Sequence, residues 1–174
     1  LALAVIRLLG PEDVEAFRRI RLEALRCEPA SFASSIEDWE RLPEEEWRRR
    51  VTGNLVFVAF QGESPVGIMG LVRERSSKMA HRATIVMVYV QKSHRGTGLS
   101  RKLLDEVIAY ARKKDIRQLE LAASVENPAA IRFYRNAGFQ EIGRIPGGFL
   151  DGGREIDEIL MVRRIAPCGR YSQR

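Results

Sequence analysis

At 174 residues, 45% hydrophobic and 30% charged, the chain is long enough and apolar enough for one ordinary globular domain with a sizeable core. Its two cysteines, Cys27 and Cys168, exclude a disulfide framework and fit a reducing cytoplasm. The net charge of +6 is concentrated: residues 1–90 carry 13 Lys and Arg against 13 Asp and Glu, residues 91–117 carry 8 against 3, and residues 118–174 carry 8 against 7.

The opening Leu1-Ala2-Leu3-Ala4-Val5-Ile6 is too short for a membrane span and runs into Arg7 without a small-residue cleavage site, so it reads as a first strand. Pro11-Glu12-Asp13 supplies the proline and acids of a first helical turn. Val14, Phe17, Ile20, Arg21, Leu22 and Leu25 then recur roughly at helical spacing, to about Arg26. A second helical region is expected from about Ser34 to Val51, interrupted near Pro43. In it Glu44-Glu45-Glu46-Trp47-Arg48-Arg49-Arg50 sets each acid four residues ahead of an arginine.

Leu55 to Gln61 and Val66 to Arg75 read as a hairpin turning through Gly62-Glu63-Ser64-Pro65, and Arg82 to Val90 as a third strand of the same kind. A glycine-containing loop follows, then a helix with Leu99, Leu103, Leu104, Val107, Ile108 and Ala111 on one face. Leu119 to Ala123 is a short strand and Asn127 to Ala137 a helix closed by Gly138. Phe139 to Arg144 and Ile156 to Arg164 are the last strands, and a loose tail begins at Pro167. Hairpin-compatible strands followed by strand-helix-strand crossovers predict an α/β (α+β) fold with a mixed, mostly antiparallel sheet of about seven strands and helices on both faces. Residues 1–166 form one domain, and 167–174 the tail.

Two segments carry chemistry. In Gln91-Lys92-Ser93-His94-Arg95-Gly96-Thr97-Gly98-Leu99-Ser100 a strand passes through a glycine pair into a helix. The free N-H groups and dipole of that helix start favour an anion, and Gly96 and Gly98 let the backbone approach it. The local excess of Lys92, Arg95, Arg101 and Lys102 suits a compact polyphosphate better than a long nucleic acid. The spacing departs from the nucleotide-triphosphate loop, which ends in Gly-Lys-Ser/Thr, and from the dinucleotide fingerprint, which needs a third glycine. The second segment is Asn127-Pro128-Ala129-Ala130-Ile131-Arg132-Phe133-Tyr134-Arg135-Asn136-Ala137-Gly138-Phe139. Here Asn127 caps a helix and Tyr134 lies two turns up the same face.

In this order and separation the two segments resemble the GNAT superfamily of acetyl-CoA-dependent N-acetyltransferases. The loop pattern Gln/Arg-x-x-Gly-x-Gly/Ala is met at Arg95, Gly98 and Ser100, the last a small-residue departure. The pattern Asn-x-x-Ala-x-x-x-Tyr-x-x-x-Gly-Phe is met at Asn127, Ala130, Tyr134, Gly138 and Phe139. The resemblance covers Val5 to Arg164 in element order, and individual residues from Val86 to Phe139.

The resemblance implies acetyl transfer to a primary amine, by direct attack in a ternary complex, with acetyl-CoA as cosubstrate and no metal. It implies a CoA pyrophosphate on the N-H groups of Gly96, Thr97, Gly98, Leu99 and Ser100, with Arg95, Arg101 or Lys102 adding charge. The pantetheine arm would lie along Val88 to Val90, held from the other side by Asn127. A backbone N-H at Val90 would polarise the thioester, and Tyr134 would protonate the leaving thiolate, a phenol of pKa about 10 suiting a thiol of about 8.5.

Thr84 to Val90 contains no carboxylate, where family members often carry the general base. Glu37, His81, Glu120 or Glu158 could serve through ordered water, and none is assigned. Trp39 and Trp47 read as core anchors. The resemblance also sets them, with Ala33-Ser34-Ser35, near the acceptor pocket. The acceptor stays open between small-molecule amines and protein amines, with a homodimer through the sheet edge or the C-terminal strands as a family habit. Neither nucleic acid nor membrane is expected as a partner. Two rival readings are a CoA-binding regulatory module without turnover and a nucleic-acid binder using the basic 91–117 segment.

Overall fold

The near-continuous apolar runs of the second and third strands require cover on both sides, and the architecture supplies it. In the computed structural model, which describes residues 4–166, β2 (Leu55–Gln61) and β3 (Ser64–Arg73) are buried almost along their whole length. With β1 (Val5–Leu8), β4 (Arg82–Val90), β5 (Gln118–Ser124), β6 (Gln140–Asp151) and β7 (Arg154–Arg164) they form one sheet in the order β1-β2-β3-β4-β5-β7-β6. Only β4 and β5 run parallel, joined by the α4 (Leu99–Lys113) crossover. This is the mixed, mostly antiparallel seven-stranded sheet that the sequence predicts.

Each face has its own core. Helices α1 (Val14–Cys27), α2 (Ile36–Glu40) and α3 (Glu44–Gly53) cover one face, where Phe17 meets Trp39 and Trp47 edge-on and the two indoles are tilted, with ring centroids 5.3–6.0 Å apart. Helices α4 and α5 (Pro128–Asn136) cover the other, with Leu103, Leu104 and Val107 fully buried against β2–β5.

The differences from the expected elements have local causes. The β2–β3 hairpin closes with Gly62-Glu63 alone, Gly62 at φ +60°, so β3 starts at Ser64 and ends at Arg73. Strand β6 continues past Arg144 to Asp151 because Gly152-Gly153 turn it onto β7, and Pro146 is accommodated in the bulge between Ile145 and Phe149. The acid-arginine ladder of α3 is incomplete. Glu44–Arg48 (3.7 Å) and Glu46–Arg50 (2.8 Å) form, but Arg49 turns back to Glu46 at 2.7 Å. The predicted strand's first three residues, the tail from 167 and Cys168 lie outside the described residues, and Cys27 is a free, exposed thiol. No described helix is long and apolar enough to cross a membrane.

Arg82 of β4 clamps Glu120 of β5 bidentately at the paired end of these strands, with Nη2 donating to Oε2 at 2.8 Å. These bonds hold the Glu120 carboxyl below its ordinary value against the opposing effect of burial. A depressed folded-state pKa stabilises fully above the unfolded value of about 4.3 and is lost as pH falls through the folded value. Thermal melts of Glu120→Gln should therefore show a loss of about 1–2 kcal/mol at neutral pH that shrinks as the pH falls below the unfolded value of about 4.3.

Candidate active site

The site is prepared by a fault in β4. Ile68 faces Tyr89 and Gly70 faces Val86, so Met87 and Val88 together stand against Met69. Met87 takes φ +55°, and Gly70 makes room for it: a Cβ there would lie 2.6 Å from Met87 Cε and 2.9 Å from Val86 Cγ2. Beyond the bulge the Gln91 N-H donates to the Val66 carbonyl at 3.0 Å, so by alternation Val88 and Val90 turn their N-H groups away from β3. They face a parting, because the β4–β5 ladder stops at Thr84 and Glu120.

At the end of β4 the chain turns through Lys92–His94 into the glycine pair. Gly96 (φ +75°) and Gly98 (φ +84°) both occupy the left-handed region, and a Cβ on either would meet nothing within 4 Å. Gly98 is the N-cap of the 15-residue helix α4 and offers no side-chain cap, so the first N-H groups of that helix remain available to an anion. Thr97 Oγ1 donates to the His94 carbonyl at 2.6 Å, which fixes the loop. Leu99 is buried in the core, and Arg101 pairs with Asp105 at 3.0 Å. Arg95 is held by two partners within the protein. Its Nε donates to the Val90 carbonyl at 3.0 Å and its Nη2 to Glu28 at 2.7 Å, so it braces the wall of the cleft against the end of α1.

Asn127 caps α5 as its position predicts, Oδ1 accepting from the Ala130 N-H at 3.0 Å while Nδ2 donates to Ser31 Oγ at 3.3 Å. Two turns on, Tyr134 is 5% exposed and held edge-on between Phe133 and Phe139. Its hydroxyl makes no hydrogen bond within the described residues, and burial pushes its pKa above the ordinary phenol value.

Three cavities share walls here. The first, about 510 Å³, is lined by Val88, Val90, Arg95, Gly96, Ser100, Asn127 and Tyr134 among others. The second, about 110 Å³, is the parting itself, between Ile85–Val88 and Leu121–Ser124, with Asn127 and Tyr134 on its rim. The third, about 400 Å³, opens on the α1–α3 side and shares Ser31, Phe32, Val86, Met87 and Ala122 with the second. Shared lining residues thus carry the three cavities across the sheet from the glycine loop to the opposite face.

Among the unassigned carboxylate and imidazole candidates the surroundings differ. Glu120 is committed to Arg82 and Gln118, Glu37 is exposed on α2, and His81 sits at the paired end of β4, where its carbonyl anchors Arg117 and Gln118. Glu158, on β7 opposite Ser124, lines the third cavity beside Val86 and Ala122, and burial raises its pKa. It rests against the backbone of Gly148, where a Cβ would fall 2.5 Å from Oε2. Trp47 is wholly core, whereas Trp39 is core and also lines the third cavity.

Of the predicted binding residues, Val88, Val90, Arg95, Gly96, Ser100, Asn127 and Tyr134 converge on the first cavity. Thr97, Gly98, Leu99 and Arg101 lie in the loop and helix start outside its wall. Sequence reasoning missed Ser31 and Phe32, which line all three cavities. They sit in an irregular connection with no periodic signal.

The model of the Acetyltransferase (GNAT) family matches residues 17–139. An uncharacterized N-acetyltransferase of Methanocaldococcus jannaschii is 29% identical over 138 residues, 78% of this chain and 60% of the relative, so the chain spans only part of that protein's length. The spermidine N(1)-acetyltransferase of Vibrio cholerae is 25% identical over 127 residues, covering 72% of this chain and 73% of that one. In fold the chain is similar to yncA of Salmonella typhimurium, solved with its cofactor acetyl-CoA, with a TM-score of 0.78 at 22% identity over 97% of both chains.

Proposed function

The chain belongs to the acetyltransferase (GNAT) family, whose cosubstrate is acetyl-CoA, and on that premise we propose that it transfers an acetyl group to a primary amine within a ternary complex. The observation that carries this reading is the parting of β4 from β5, flanked by the backbone N-H groups of Val88 and Val90 and continuous with both faces of the sheet. The residues fit the cosubstrate. Open space over Gly96 and Gly98 and an uncapped helix start suit a pyrophosphate, and unpaired strand edges suit an amide-bearing arm.

Acetyl-CoA supplies the acyl thioester that the amine attacks. The N-H groups of Leu99 to Arg101 hold the pyrophosphate, with Arg95 keeping the Val90 carbonyl and the cleft wall in position. Val88, one alternation deeper than Val90 and shared by the first two cavities, turns its N-H toward the acyl oxygen as negative charge develops there. Glu158, on the acceptor side, takes the proton of the attacking amine directly or through a water. A carboxyl raised by burial is a better acceptor than an ordinary one. Tyr134 presents its unengaged hydroxyl to the departing thiolate.

Isothermal titration should detect acetyl-CoA and CoA binding, and amine-dependent CoA release should follow. No binding of either would end this reading, while binding without release to any amine would favour a regulatory CoA-binding module. The Glu158 role has its own test. Glu158→Gln should lower kcat/KM about 100-fold. Gly148→Ala, which displaces the flexible end of Glu158 and leaves its charge intact, should lower it less, with thermal stability little changed in either variant. Equal kcat/KM in Glu158→Gln and the parent would remove Glu158 from the proton path.

A further inference from the structure

The third cavity holds a charge that no hydrogen-bond or ion-pair partner among the described residues neutralises. Arg21 projects from the apolar face of α1, is 3% exposed, and leaves Nε and Nη1 buried without a hydrogen-bond partner among the described residues. Its guanidinium lies 4.4 Å from the Trp39 ring centroid and 4.9 Å from that of Phe32. Arg50 approaches Trp39 at 4.3 Å and lines the same cavity, with Nε committed to Glu46 at 2.8 Å. Burial, reinforced by the positive charge of Arg50, pulls the Arg21 pKa down to about 10, so it remains a cation at neutral pH. A buried cation stacked only on aromatic faces recovers part of its lost hydration; donors left unpaired cost the rest. A buried guanidinium lining a cavity is best answered by an oxyanion, whose charge offsets the cation and whose oxygens accept N-H groups on its accessible edge.

Glu158 lines the same cavity. Arg21 and Glu158 thus line one cavity of about 400 Å³, which shares Val86, Met87 and Ala122 with the parting. Its lining therefore combines the cations Arg21 and Arg50, the acid Glu158 on β7, and the aromatic surface of Phe32 and Trp39.

Building on the acetyltransferase reading above, we infer that the acceptor is an amino acid or another small amine bearing a carboxylate, its acid group held by Arg21 and Arg50 while its amine faces Glu158 and the parting. Polyamines, which would bring a second cation to Arg21, are then poor acceptors.

The test uses the full chain and acetyl-CoA with a panel of amino acids, each offered beside its amide, and with spermidine, reading CoA release. The expected result is at least one amino acid preferred over its amide by about 10-fold or more in kcat/KM, the scale of charged hydrogen bonds, with spermidine slower than that amino acid. Arg21→Met should abolish the preference through KM, leave acetyl-CoA affinity unchanged, and melt no lower than the parent, since an apolar replacement of an unpaired buried cation is often stabilising. Arg50→Gln, at a more exposed position, should reduce the same preference and provides the reading if Arg21→Met does not fold. Amides or spermidine used as well as the acids, no amino acid accepted by a protein that binds acetyl-CoA, or an unchanged preference in both variants would overturn the inference. Failure to bind acetyl-CoA would instead strike the reading on which it rests.

Discussion

Tyr134→Phe is expected to lower kcat by about 100-fold while leaving acetyl-CoA affinity and thermal stability at parental values. The asymmetry follows from the environment of the hydroxyl. The ring is held by Phe133 and Phe139, and those contacts survive the substitution, whereas the oxygen has no hydrogen-bond partner to lose. Removing a hydroxyl that no described protein group engages costs the fold no hydrogen bond. A Tyr134 that served only packing would show the reverse pattern, with lowered stability and unchanged turnover. Because burial raises the phenol above its usual pKa of about 10, it stays protonated through the whole neutral range. The pH profile of kcat should therefore show no alkaline limb from Tyr134 below about pH 10, and steady-state kinetics with titration calorimetry on the two proteins read every part of this expectation.

Gly98→Val is expected to weaken acetyl-CoA binding by about 100-fold, and the parent rate should be largely recovered only at cosubstrate concentrations raised in proportion. Two effects combine. At φ +84° a β-branched residue is strained, at about 1–2 kcal/mol, and its side chain would occupy the open space over the helix start where the anion is to lie. Gly62→Val separates them. Gly62 also has φ +60° and open surroundings, but it sits in the β2–β3 turn, so its variant should lose comparable stability and keep full affinity. Equal affinity in Gly98→Val and the parent would move the pyrophosphate away from this helix start.

Much of the cofactor side is legible from residue order because it depends on local rules. A strand, a glycine pair and an amphipathic helix can be read in succession, and an Asn before Pro predicts the cap that Asn127 makes. The brace that Arg95 makes is not legible in the sequence, because its partner Glu28 is 67 residues away and the carbonyl it holds belongs to a strand end, neither of which spacing reveals. Glu158 and Arg21 illustrate the same limit on the acceptor side. Glu158 looks like any strand acid until β6 folds back and Gly148 gives its carboxylate room. Arg21 did leave a trace, as a charged residue on the apolar stripe of α1, but helical periodicity cannot tell a paired arginine from an unpaired one.

The bulge at Met87 and the parting beyond Thr84 divide the labour of recognition between two kinds of material. On the proposed reading, the cofactor side would meet its ligand with main chain, through amides whose direction is set by the pleat. The far side would meet the acceptor with side chains projecting from α1, α3 and β7. A lineage built on this plan can therefore exchange one acceptor for another by point changes while its donor chemistry is inherited unaltered as shape.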